Sequence, residues 1–310
     1  MITPWGELDV SDAHVHFFSS NFFRLLAAQK PGLTQGDPTV ELCTRLEWEP
    51  PPADPVELGA RWVAELDRNS VDQAAIIASL PGDEESVIAA ASSAPDRLLP
   101  YAMVNPTAVG SADRIRRSVE TGLLRGLCFF PAMHRYSMQD DRVAPFLEIA
   151  ESRPGVIVFV HCGVLTVGIR KKLGLPSLFD MRFSNPIDLH AVALAHPKIS
   201  FVVPHFGAGY FREALMLCDL CPNVYLDTSS TNSWLRYEGL DLAAVFRRAG
   251  AVAGFHRLLF GTDSSFFPRG WHAQVFEQQV DALRAIGADE AAAAAVFGGN
   301  LRWLFSRQSH

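Results

Sequence analysis

The sequence has few lysines, no basic cluster and no long uncharged apolar run, and each shortage argues against a class of protein. Lysine occurs only four times in 310 residues and the formal net charge is −7, which argues against a nucleic-acid-binding surface. No window approaches the roughly 18 uncharged apolar residues that a membrane-spanning helix needs. The N-terminus lacks a basic segment followed by an apolar one, so we expect no signal peptide and a cytoplasmic location.

Cysteine is also scarce, with five residues in a large chain. Cys218 and Cys221 form a C-x-x-C pair, but no second pair completes a zinc knuckle. This favours a structural role for the two thiols over a redox or metal-binding role, and reduced cytosolic thiols are the simplest interpretation. With 48% hydrophobic residues, the chain is large and apolar enough to bury a sizeable core.

Short apolar runs alternate with longer segments of helical spacing, which indicates βα units and a parallel sheet. The strand candidates are LDVSDAHVH (8–16), QAAIIAS (73–79), LLPYAMVN (98–105), LRGLCFF (124–130), GVIVFVH (155–161), ISFVVPH (199–205), NVYLDTS (223–229) and RLLFGTD (257–263). Eight such units predict an α/β fold, a (β/α)8 TIM barrel, as one domain over residues 1–310. An open doubly wound sheet is the alternative, but it usually carries a Gly-rich phosphate turn after its first strand, and "DAHVHFF" is not one.

One segment interrupts this alternation. Residues 17–55 contain "EWEPPPADP" and many aromatic residues, and they are too long and irregular for a simple βα connection. Long insertions in compact domains tend to be lids or binding loops. Because this one follows strand one, we predict a lid-like insertion over the face that carries barrel active sites. Aromatic stretches in it such as "FFRLL" are compatible with a homodimer.

Polar residues occupy the ends of several predicted strands. Side chains two apart on a strand point the same way, so Asp12, His14 and His16 are expected on one face. Strands five, six and eight end in His161, His205 and Asp263. Each residue alone is typical of a core or loop position, but the carboxyl ends of barrel strands meet at one rim. Burying several imidazoles and a carboxylate together is costly without a divalent cation, so the pattern predicts a metal site.

These motifs resemble the amidohydrolase superfamily, in particular the amidohydrolase-2 branch that includes aminocarboxymuconate-semialdehyde decarboxylase. The resemblance is carried by D-x-H-x-H in strand one and by "VFVHCG", "VVPHFGAG", "LLFGTDSSF" and "VFGGNLRWLF", so it spans nearly the whole chain. It implies that His14, His16, His161 and Asp263 bind the metal, with His205 just outside the ligand set. It also implies that a metal-activated water attacks the substrate while Asp263 and His205 act as catalytic residues.

The resemblance implies one metal ion. Some members hold two metals through a carboxylated lysine from strand four, but strand four ends here in Cys128, Phe129 and Phe130, with no Lys or Glu. Neutral imidazoles and a carboxylate suit Zn²⁺ best, with Mn²⁺ and Fe²⁺ as alternatives. Asp12 either fixes the tautomer of an imidazole or caps the turn after the strand.

The loops after strands four, seven and eight offer weaker candidates for substrate contacts. They are Arg135, Tyr136, Trp234, Arg236, Phe266 and Arg269. Arginines at the rim could clamp a carboxylate and aromatic rings could wall a planar acid, although most such residues are solvated or pack in loops.

Two reactions fit this site. The first is hydrolysis of a small organic substrate, expected to bear a carboxylate, and the second is non-oxidative decarboxylation of an unsaturated or aromatic acid. A barrel without catalysis is a third interpretation, and the complete ligand set argues against it. A phosphodiesterase acting on DNA ranks last, because the chain is acidic and lacks the strand-four Glu. We expect a small-molecule substrate and neither a nucleic-acid nor a membrane partner.

Overall fold

The computed structural model describes residues 1–30, 37–230 and 232–306. All eight predicted strands are present, preceded by a short antiparallel hairpin of β1 and β2. The strands are β1 (Ile2–Thr3), β2 (Gly6–Glu7), β3 (Ser11–Phe17), β4 (Gln73–Ala78), β5 (Leu98–Val104), β6 (Gly126–Phe129), β7 (Ile157–Val160), β8 (Phe201–Val203), β9 (Val224–Asp227), β10 (Leu258–Leu259) and β11 (Ser264–Ser265).

The strands β3 to β9 pair in chain order, each parallel to the next. The predicted eighth strand, 257–263, contains β10, which pairs with β9, and is followed directly by β11, which pairs with β3. It therefore joins the two edges of the sheet. The Ala13 N–H donates to the Phe260 carbonyl over 2.8 Å, and the Asp263 N–H donates to the His14 carbonyl over 2.9 Å. These bonds close the ring, and the predicted TIM-barrel class is confirmed.

Helices follow the strands and cover the outside of the sheet. The α-helices are α1 (Ser20–Ala27), α2 (Pro38–Leu46), α3 (Pro55–Arg68), α4 (Glu84–Ser92), α5 (Ser111–Glu120), α6 (Pro131–His134), α7 (Ala144–Glu151), α8 (Gly168–Lys172), α9 (His190–Ala195), α10 (Phe211–Leu220), α11 (Leu235–Glu238), α12 (Leu242–Ala253), α13 (Phe266–Arg269), α14 (Ala273–Ala285), α15 (Glu290–Ala294) and α16 (Asn300–Ser306). Their starts follow ordinary capping chemistry. Asp54, for example, accepts the Val56 N–H over 2.9 Å, and Pro55 occupies the first turn of α3.

The core has two layers because successive strand residues face opposite sides of the sheet. Residues such as Ile76 and Leu127 pack outward against the helices. Residues such as Ile77 and Phe159 fill the barrel interior, and α16 adds Leu301 to this inner layer. No helix among the described residues combines the length and the apolar character needed to cross a membrane.

Candidate active site

Three predicted ligands come together at the carboxyl ends of β3 and the eighth strand. Ligand atoms of His14, His16 and Asp263 all lie within 4.8 Å of one another. The Asp263 Oδ1 is 3.0 Å from His16 Nε2 and 3.6 Å from His14 Nε2. Both rings are held through their other nitrogen, His14 Nδ1 by Asp227 Oδ2 at 2.7 Å and His16 Nδ1 by the Ser79 hydroxyl at 2.8 Å. Each Nε2 is thus directed at one carboxylate, which is the ring orientation that a metal ligand needs.

Asp12 departs from the arrangement expected of an alternating strand. The pairing of β3 with β4 shifts register between Asp12 and Val15, and such a bulge re-aims side chains. The Asp12 carboxylate accepts bonds from the His14 backbone N–H, the Thr262 hydroxyl and the Trp271 indole, at 2.9, 2.5 and 2.8 Å. It therefore ties β3 to the closing strand and binds the main chain of His14 and not its ring.

His161 and His205 lie beside this group. Their ring centroids are 5.2 Å apart, and His205 is 5.0 Å from His14. Burial lowers the pKa of His161 well below its ordinary value, and the neighbouring imidazoles lower it further. The His161 Nδ1 is buried and has no hydrogen-bond partner among the described residues. An unpaired nitrogen of this kind is available to bind a cation. His161 falls outside the three-residue group, so its role as the fourth ligand stays a prediction.

The backbone is unusual at both predicted catalytic residues. Asp263 has φ 59° and His205 has φ 55°, in the left-handed region that side chains other than glycine rarely adopt. Such conformations cost about 1–3 kcal/mol each and cluster at functional sites. Both residues follow the end of a strand, and both of their side chains line the cavity.

Charge in the site is set by burial and by close partners. Burial pushes the pKa of Asp263 upward, but the hydrogen bond from His16 and the nearby imidazoles outweigh it and hold the pKa below the ordinary range. Asp263 is therefore a carboxylate. Burial raises the pKa of Asp12 to about 6 in spite of its hydrogen bonds. Burial also lowers the pKa of His205, so this ring is neutral at pH 7.

A cavity of about 480 Å³ lies over these residues, within the range of small-molecule sites. Its floor contains the four imidazoles and Asp263, which is the only acidic side chain among the described residues that line it. Arg170, Lys172 and Arg269 supply positive charge, and most of the remaining wall is aromatic or aliphatic. The cavity therefore suits an anionic molecule with an apolar body.

The predicted insertion forms part of the cavity wall. Two helices, α1 and α2, are present in it, although residues 31–36 lie outside the described part of the chain. Phe22, Phe23 and Leu26 of "FFRLL" are buried in an apolar cluster with Ile169, on the helix after strand five. Those aromatic residues are therefore used within the chain and form no exposed surface. We call residues 18–30, 37–48 and 163–175 the cavity cover.

Five of the six weaker substrate candidates lie outside the cavity wall, and Arg269 lines it. Arg135 donates to the Leu178 carbonyl, Tyr136 and Trp234 are buried in the outer core, Arg236 stacks on Tyr237, and Phe266 packs against Trp62. The loops after strands four and eight still contribute Phe130, Met133 and Arg269 to the wall, and the insertion and the helix after strand five supply much of the rest. Sequence position after a strand does not reveal which loop covers the site.

Asp227 and Ser229 are site residues that the sequence interpretation missed. Asp227 is fully buried at the end of β9, and the Ser229 N–H donates to its Oδ1 over 2.5 Å. The strand-end rule that found His161 applies equally to "YLDTS" and would have identified Asp227. A Cβ at Gly261 would lie 3.0 Å from both Asp227 Oδ1 and His14 Cβ, so only glycine lets the closing strand approach this pair.

Comparison with solved structures shows the same fold. An uncharacterized TIM-barrel protein from Bordetella bronchiseptica superposes with a TM-score of 0.66 at 17% identity, covering 98% of this chain and 100% of that one. An amidohydrolase from Burkholderia multivorans with bound zinc gives 0.62 at 16%, covering 96% and 99%. A probable 2-pyrone-4,6-dicarboxylic acid hydrolase from Acinetobacter baumannii, with citric acid bound, gives 0.61 at 16%, covering 96% and 100%.

A curated relative is similar over a shorter stretch. Protein fluG of Emericella nidulans is 33% identical over 107 residues, which is 34% of this chain and 12% of that protein's length. The family comparison covers far more of the sequence. Because the amidohydrolase family model matches residues 11–306, the chain belongs to the amidohydrolase family.

Proposed function

We propose that this protein is a zinc-dependent hydrolase of a small, carboxylate-bearing organic substrate. The observation that carries the proposal is the convergence of His14 Nε2, His16 Nε2 and the Asp263 carboxylate on the floor of a cavity whose wall holds three cations. Two neutral imidazoles and one carboxylate suit Zn²⁺, with Mn²⁺ and Fe²⁺ as alternatives, and His161 would complete the set. When bound, such an ion would act as a Lewis acid and lower the pKa of water to about 7.

The side chains of the site have distinct tasks in this proposal. Asp263 is a carboxylate within 3.0 Å of His16, so it can accept the proton of the attacking water and pass it to the leaving group. His205 is neutral and lines the cavity, where it can donate a hydrogen bond to an oxygen that gains charge. Arg269 has no hydrogen-bond or ion-pair partner among the described residues and is the best placed cation for a substrate carboxylate.

The apolar wall supports a second candidate, a non-oxidative decarboxylase. Phe130, Met103 and Met133 line the cavity, and surroundings of this kind disfavour a carboxylate relative to neutral CO₂. The same metal site and the same Asp263 would serve this reaction.

A substrate panel distinguishes the two reactions. The zinc-loaded protein is mixed with lactones, esters, amides and unsaturated carboxylic acids in H₂¹⁸O. We expect one ¹⁸O in the product of a lactone or ester and no CO₂. Release of CO₂, with no ¹⁸O in the organic product, would show that the protein is a decarboxylase and not a hydrolase. Failure of the protein to bind zinc, Mn²⁺ or Fe²⁺ would contradict both.

A further inference from the structure

Two polar side chains at the end of β9, the seventh barrel strand, contact the histidines of the site but have no part in the proposed reaction. Asp227 and Ser229 are both completely buried. Between them, Thr228 points the other way and donates to Gln279 on α14 over 2.6 Å. Asp227 and Ser229 therefore share the face directed at the imidazoles.

Asp227 determines which nitrogen of His14 carries the proton. A carboxylate can only accept hydrogen bonds, so the 2.7 Å contact between Asp227 Oδ2 and His14 Nδ1 requires a proton on Nδ1. In the neutral ring that a metal ligand requires, this leaves the lone pair on His14 Nε2, which lies 3.6 Å from Asp263 Oδ1. A carboxylate behind a ligand histidine commonly fixes ring orientation and tautomer in metal sites.

Ser229 lies between two rings. Its hydroxyl oxygen is 2.9 Å from His14 Nδ1 and 3.0 Å from His205 Nδ1. Because His14 Nδ1 is already a donor, the serine oxygen can only accept from it. The single hydroxyl proton is then free for the lone pair of His205 Nδ1, and the His205 proton must sit on Nε2.

The opposite tautomer of His205 has one argument in its favour. The Ser229 carbonyl is 3.2 Å from His205 Nδ1 and would accept a proton located there. In that arrangement, however, the Ser229 hydroxyl would have no acceptor, since its described contacts are His14 Nδ1 and His205 Nδ1 alone. A buried hydroxyl donor without an acceptor is rare in proteins.

We propose that Asp227 and Ser229 are positioning residues. Asp227 holds His14 as a metal ligand through Nε2, and Ser229 couples this ring to His205 so that His205 presents an Nε2–H donor to the cavity. This inference rests on the proposed metal-dependent function, and it explains how a neutral His205 can stabilise negative charge on a substrate oxygen.

The tautomers are measured directly by long-range ¹H–¹⁵N NMR on protein labelled with ¹⁵N-histidine, with and without zinc. We expect wild-type His205 to carry its proton on Nε2, and Ser229→Ala to move it to Nδ1, where the carbonyl accepts it. A wild-type proton on Nδ1, or a His205 signal that Ser229→Ala leaves unchanged, would overturn the role of Ser229. The wild-type spectrum needs no variant to fold.

Zinc affinity, measured by competition with a chelator, tests Asp227. Asp227→Asn should weaken zinc binding roughly 10- to 100-fold. Thr228→Ala is the matched control, because it removes a buried polar contact from the same strand end on the opposite face. Equal affinity in Asp227→Asn and wild type, or an equal loss in Thr228→Ala, would overturn the role of Asp227. Wild-type protein that binds no zinc would instead contradict the proposed function, and the His205 tautomer would still decide the role of Ser229.

Discussion

The rim of the barrel and the cavity cover build the same cavity by different means. At the rim, polar side chains such as His14 and Asp227 are buried and hold one another at hydrogen-bond distance. In the cover, Trp48 and the helix after strand five present apolar surface and cations, with Lys172 Nζ 5.3 Å from the Trp48 ring centre. A fixed rim provides reactive geometry, whereas the cover provides shape and charge. Substitutions should therefore affect chemistry at the rim and substrate preference at the cover.

Removing the shared carboxylate of the rim should have the largest effect. We expect Asp263→Ala to lose both bound zinc and measurable turnover, because it removes a ligand and the proton acceptor together. Zinc content per chain, measured by elemental analysis, and turnover are the readouts. Asp113→Ala, at an exposed position on α5, is the control and should keep both. A variant at Asp263 that retained one zinc per chain would show that the carboxylate is not a ligand. His161→Ala should lose zinc and turnover in the same way.

The second largest effect is expected at His205, which we propose is a catalytic residue of the rim and not a metal ligand. His205→Ala should lower kcat by about 10²- to 10⁴-fold, the range for a lost acid–base or donor group, while one zinc per chain remains. Zinc content and kcat are measured on the same preparation. Loss of the metal from this variant would mean that His205 is itself a ligand.

A substitution in the wall should act on substrate binding and leave zinc in place. Arg269→Met should lower kcat/KM for a carboxylate substrate by about 10- to 100-fold, as expected for a lost hydrogen bond to a charged group. The matched uncharged ester should be unaffected. Arg236→Met, an arginine outside the cavity, should behave as wild type. Equal losses on acid and ester would remove Arg269 from carboxylate recognition.

Asp83 lies where the barrel rim joins the cavity cover, and its substitution should have the smallest effect on turnover and act on stability instead. Asp83 is buried after β4 and accepts hydrogen bonds from Ser19, Asn21 and Ser86, which fixes the start of the insertion. Burial raises its pKa to about 6 from 3.8. The folded chain therefore binds more protons than the unfolded one between these values, so stability from Asp83 is lost as pH rises through about 6.

Asp83→Asn should remove this dependence. Between about pH 4 and pH 7, the free energy of unfolding of wild type should fall relative to the variant by at most about 3 kcal/mol. Urea denaturation of metal-free protein across this range measures the difference. A constant difference would show that Asp83 keeps an ordinary pKa.

The same contrast explains what the sequence could predict. Strand-end positions follow from a period of two and from barrel topology, so His161, His205 and Asp263 could be located from sequence. The same reasoning applies to Asp227, which was nevertheless missed. The irregularity of β3 at Asp12 lies in its pairing with β4, a strand about sixty residues further along the chain, and no local pattern encodes it. The insertion after strand one was predicted as a lid, but its packing against the helix after strand five joins residues more than a hundred positions apart, such as Leu26 and Ile169, and was therefore not predicted.

The division of the eighth strand into β10 and β11 limits where new chain termini can be introduced into this protein. The few residues between β10 and β11 complete the ring of strands, carry Asp263, and pass the site at Gly261 without room for a side chain. A circular permutant with new termini there would lose its architecture and its reactivity in a single step. Loops on the opposite end of the barrel, remote from this joint, are the places where inserted sequence should be tolerated.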